Sequence, residues 1–185
     1  AEQQLQSACD HFNGRDYAAA AATWKDAAAA YEQAHSRAEA VQSERAARQS
    51  YEVSLEAKDE DSLASYGGSA WPECKRLASS AAELAAADKL TEAAQEWQKA
   101  RDRLGVAWVK VEACRRAAAQ ARQSFERALA KHDEQDLQKY GGKSWQQVAS
   151  AVAAAEKASK ANDPQAAKAS WARAEELLPA AVAAI

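Results

Sequence analysis

The feature that most constrains this chain is a resemblance to itself. Displaced by 74 positions, ARQSYEVSL (47–55) falls on ARQSFERAL (121–129), and DEDSLASYGGSAW (59–71) falls on DEQDLQKYGGKSW (133–145). EWQKARDRL (96–104) falls on SWARAEELL (170–178), and a partial earlier copy, TWKDA (23–27), falls on EWQKA (96–100) at a shift of 73. Trp, Tyr and Gly-Gly coincide along with Ala. Self-similarity at a fixed period is the mark of stacked supersecondary units. The expected organisation is one helical-repeat domain over 1–185: a partial unit at 1–58, a unit at 59–132 and a shortened unit at 133–185. The ends fall inside expected helices, so the chain reads as an excerpt of a longer one.

Composition fixes the class of the units. Of 185 residues 52 are Ala, against six Gly and three Pro. Ala is the best helix former and occupies little volume, so helices lined with it approach closely. The reading is all-α: antiparallel hairpins with long helices, in an array or an elongated bundle. A short helix is expected over about 69–87, with Pro72 in its first turn, where a missing N–H costs nothing. Tight turns follow at NGRD (13–16), ADKL (87–90) and ANDPQ (161–165). Long helices then run over about 17–58 and 90–131. On the second, Trp97, Leu104, Trp108 and Val111 recur at helical spacing.

The equivalent tryptophans Trp24, Trp97 and Trp171, with Trp71 and Trp145, are expected in the packing core, since a part that every unit needs is usually packing. The repeated phrases contain Tyr66, Gly67, Gly68 and Tyr140, Gly141, Gly142. They read as corners at which Gly-Gly redirects the chain and each Tyr packs on its following Trp. The acidic clusters at 59–61 and 133–136 read as solvated corners with N-capping Asp.

At NGRDYAAAAATWKDAAAAY (13–31) and ANDPQAAKASWARAEELLP (161–179) the chain resembles the tetratricopeptide class. That pattern is a small-residue turn, then A-x-x-x-[WYF]-x-x-A, then a Pro. The chain departs from it in its period, in its long helices and in lacking the W-x-x-L-G-x-x-Y opening. It is also similar to Ala- and Trp-rich repeats in large bacterial multidomain proteins, where such arrays sit beside kinase, protease or formylglycine-generating-enzyme-like domains. This second resemblance implies a spacer or docking array and no catalyst.

Chemistry is harder to find. GGKS (141–144) lacks the earlier Gly that a phosphate-binding loop needs, having Leu137 there, and its sister copy reads GGSA. His11, His35 and His132 do not cluster. Cys9, Cys74 and Cys114 are far apart and read as small buried thiols. No catalytic residue, metal site or cofactor is expected. Lys and Arg number 24 against 27 acids, which excludes a dedicated nucleic-acid binder. No apolar run is long enough to insert in a membrane.

The residue without an aromatic counterpart is Trp108. Beside it Lys110, Arg115, Arg116 and Arg122 form a basic run, which reads either as a docking patch for an acidic or aromatic partner or as packing, with Trp108 filling a gap between units and the arginines solvated or paired with Glu112 and Glu126. The expected partner is therefore a protein or peptide, or flanking domains of the same chain, with the module itself a monomer or weak dimer. The leading function is a non-enzymatic interaction or scaffolding module. The alternative is a spacer or coiled-coil-like stalk without a specific ligand. The cellular compartment stays open.

Overall fold

The computed structural model describes residues 2–185. Among them are eight helices and no strand: α1 Glu2–Asn13, α2 Tyr17–Glu56, α3 Glu60–Tyr66, α4 Ala70–Ala86, α5 Leu90–Leu129, α6 Glu134–Tyr140, α7 Gly142–Lys160 and α8 Pro164–Val182. The expected all-α array of helical hairpins is what forms. α1 packs on α2, and α7 on α8. The long helices α2 and α5 each run for 40 residues. No Pro interrupts either, and Ala dominates their neighbouring turns.

Three turns set the hairpins, and they share one conformation. Arg15, Asp88 and Asn162 take φ of 62°, 59° and 57°, the described non-glycine residues with positive φ. At each, the residue after it donates its N–H five positions back: Asp16 to His11, Lys89 to Leu84, Asp163 to Ala158. This is the paired-bond closure of a helix C-terminus. Asp16 and Asp163 then accept from the backbone N–H of Ala19 and Ala166 and so cap α2 and α8.

The segments after the long helices, expected as solvated corners with N-capping Asp, are short helices, and the expected caps form. Asp59 caps α3 through the N–H of Ser62, and Asp133 caps α6 through Gln135 and Asp136. Gly67 and Gly141 end them in right-handed conformation; Gly68 and Gly142, at φ 61° and 54°, make the left-handed step into the next helix. The buried anchors of these corners are Leu63 and Leu137. The Tyr66 hydroxyl reaches Asp163, while Tyr140 is exposed with Lys139 over its ring.

The chain divides into two compact units: residues up to 57 with 73–102, and residues 58–72 with 103–185. In the first, Trp97 is 6% exposed and stacks on Tyr51 at 5.3 Å between ring centroids. In the second, Trp171 is 4% exposed and stacks on Phe125 at 5.6 Å. Around that pair Leu137, Val148, Ala151, Ala155, Ala167, Ala174, Leu178 and Ala181 form the core, with Trp145 half-buried at its edge. Trp71 is buried as well.

Two expectations about burial fail. Trp24 is 44% exposed, because the long-helix segment that lies over Trp97 and Trp171 has no counterpart beside α1 and α2 among the described residues. Cys9 is exposed and Cys114 only half-buried; Cys74 alone of the three thiols is in the core.

Candidate functional site

The basic run on α5 was the sequence's candidate for partner binding, and its members meet different fates. Trp108 is half-buried, with the Arg115 guanidinium 5.0 Å and the Lys58 ammonium 5.9 Å from its ring centroid. Such cation–π contacts place both charges over the electron-rich face. Arg115 is held from several sides. It donates to Glu112 at 3.3 Å, to the Ser62 hydroxyl at 3.2 Å and to the Asn162 side-chain oxygen at 3.4 Å, with Asp59 at 4.0 Å.

Asn162 closes the network from the other side. Its amide donates to Asp59 at 2.9 Å and to Ser62 at 3.1 Å. One position on, Asp163 accepts from Tyr66 at 2.8 Å. The α3 segment and the α7–α8 turn, about a hundred positions apart, are thus joined by side chains, with Arg115 from the middle of α5 between them.

Electrostatics follow the geometry. The Ser62 hydroxyl, with backbone N–H groups and then Arg115, holds the Asp59 carboxyl below the usual range, against the opposing effect of desolvation. Asp163 is lowered too, first by the Ala166 N–H and then by the Tyr66 hydroxyl. Tyr66 is raised, first by burial and then by its bond to that carboxylate. Both carboxylates are therefore spent as acceptors. Burial also raises the Cys74 thiol, against the opposing effect of its contact with the Tyr51 hydroxyl, and so favours the unreactive protonated form.

The rest of the run faces outward. Arg122 pairs with Glu126 at 2.7 Å and lies 5.7 Å from the Trp171 ring centroid. Arg116 is exposed and donates to the Glu112 carbonyl. Lys110 is exposed and lies over Gly68, where an added Cβ would come 3.0 Å from its Nζ. Arg115, Ala118, Arg122, Asn162, Pro164 and Trp171 border a shallow open groove between α5 and the α7–α8 turn.

Sequence reasoning found Trp108 and Arg115 but missed Asp59, Ser62, Asn162 and Asp163 as their partners. The Asp-x-x-Ser spacing at 59–62 does signal a cap. Nothing in the sequence joins it to residue 162. Among the described residues no three His, Cys, Asp or Glu side chains converge as metal ligands, and no helix is long and apolar enough to cross a membrane. Comparison with family models, curated proteins and solved structures gave no match.

Proposed function

We propose that the chain is a non-enzymatic helical-repeat module that scaffolds or docks protein segments. The observation that carries this reading is a contact set that recurs at the 74-residue displacement. Tyr51 stacks on Trp97 as Phe125 does on Trp171. Arg48 lies over Trp97 as Arg122 does over Trp171. Arg48 pairs with Glu52 as Arg122 does with Glu126. Ser50 bonds Arg101 as Ser124 bonds Glu175. One joint used twice supports an internal duplication. Duplicated joints suit a part whose work is to hold segments in place.

Hydrogen exchange on the full chain tests it. In a repeat module, stability is a sum of local terms. Trp97→Ala should then raise exchange around residues 44–56 and 90–100 and leave 148–181 protected. Loss of protection in both regions together would count against a modular array.

A ligand-free spacer is favoured by one observation: Arg115 and Arg122, expected on a partner face, are engaged within their own unit. Docking through the exposed Lys110 and Arg116 requires a partner that is lost on changing both to Glu. A spacer requires none.

A further inference from the structure

We infer that the exposed aromatic strip of the α1–α2 hairpin is a docking site for an amphipathic helix from outside these 185 residues that carries Arg-x-x-Tyr/Phe-Glu. The inference rests on the repeat reading above and extends it to a surface that reading leaves open.

Three helix starts are equivalent in sequence. Counting from Arg15, Asp88 and Asn162, which share one turn conformation, the same positions hold Ala20, Ala93 and Ala167, then Trp24, Trp97 and Trp171. Ala27, Ala100 and Ala174 come next, then Tyr31, Leu104 and Leu178. The alanines are buried in all three. The larger residues are buried in only two. Trp24 and Tyr31 are 44% and 68% exposed, while Leu104 and Leu178 are buried with their tryptophans.

The strip is wider than two residues. Tyr17, Trp24 and Tyr31 recur every seven residues along one side of α2, and Phe12 meets the Tyr17 ring edge-on at 5.6 Å. All four are large hydrophobics in contact with solvent. An uncovered aromatic patch of this kind marks an interaction surface.

The two covered copies say what covers it. Over Trp97 lies the second half of α2, with Tyr51 on the indole, Arg48 5.9 Å from its centroid and Glu52 holding that arginine at 2.8 Å. Over Trp171 lies the second half of α5, with Phe125, Arg122 and Glu126 in the same roles. The occupant's chemistry is thus an aromatic side chain to stack on Trp24, an arginine three positions before it for the ring face, and a glutamate one position after it to orient the arginine.

The probe is a fluorescein-labelled, helix-stapled peptide copying residues 110–131, titrated against the full chain by anisotropy. Saturable binding is expected. Trp24→Ala and Tyr31→Ala should each weaken it at least about tenfold, as anchors of an interface do. Both residues are exposed, so the variants should keep the parent's helical circular dichroism. A peptide with Arg122→Ala and Phe125→Ala should not bind. Absence of binding, or binding indifferent to Trp24→Ala, overturns the proposal. Sedimentation of the unliganded chain as a Trp24-dependent dimer also overturns it, since the occupant would be a second copy. Hydrogen exchange of the Trp97→Ala variant, run alongside, separates the two readings: modular loss of protection without peptide binding leaves the repeat reading standing and removes only this one.

Discussion

Glu44 accepts a hydrogen bond from the indole N–H of Trp97 at 3.0 Å, across 53 positions of sequence. Both residues are buried. The buried indole is a donor that must be met, and the Glu44 carboxyl, near Arg48 as well, meets it. At the corresponding place in the Trp171 joint, Glu44 is replaced by Ala118, so this bond individualises one of two otherwise similar joints.

Glu44→Ala leaves that N–H without its partner and should cost about 1–3 kcal/mol. Glu44→Gln keeps an acceptor and should recover most of the loss. Denaturant midpoints of the three proteins, read from exchange around Trp97, check this.

Trp171→Ala empties the place stacked on Phe125 and should cost about 3–5 kcal/mol in the second unit. Trp24→Ala removes an exposed ring and should stay within about 0.5 kcal/mol of the parent. Measured side by side, the two separate a buried tryptophan from an exposed one. Equal losses would mean that Trp24 is covered.

Acid should weaken the joint of α3, α5 and the α7–α8 turn. Asp59 and Asp163 have lowered folded-state values. Their contribution is therefore complete above the unfolded carboxylate value of about 4 and is lost as pH falls below it. Tyr66 is raised, so its contribution is present below about pH 10 and fades above. Asp59→Asn with Asp163→Asn should flatten the acid limb of a stability–pH curve and lower its plateau.

Two glycines should respond in opposite directions. A Cβ on Gly67 would come 3.1 Å from that of Trp71 and 3.2 Å from that of Ala107. Gly67→Ala should destabilise by about 1–3 kcal/mol through crowding. Gly105 lies within α5 with nothing within 4 Å of an added Cβ. Gly105→Ala should stabilise by about 0.5–1 kcal/mol. Thermal melts monitored by circular dichroism give both signs.

What the sequence alone determined is local. Alanine content and the scarcity of Gly and Pro dictate helix, and helix is decided within a few turns of chain. The starts of α2, α5 and α8 were legible because Asn, Asp, Gly and Pro cluster at 13–16, 87–90 and 161–165. The segments before Gly67 and Gly141 were not read as helices, because seven residues are too few for a periodic signal. Tertiary structure decided everything that depends on a distant neighbour. Trp24, Trp97 and Trp171 have like local sequence, yet one is exposed and two are buried, since burial is set by whether another helix lies over the ring. Pairing of Arg115 with Glu112 and of Arg122 with Glu126 was legible, because those partners lie one helical turn away; the distant partners of Arg115 were not. These are Asp59, Ser62 and Asn162, and residues about a hundred positions apart meet only when the chain has folded.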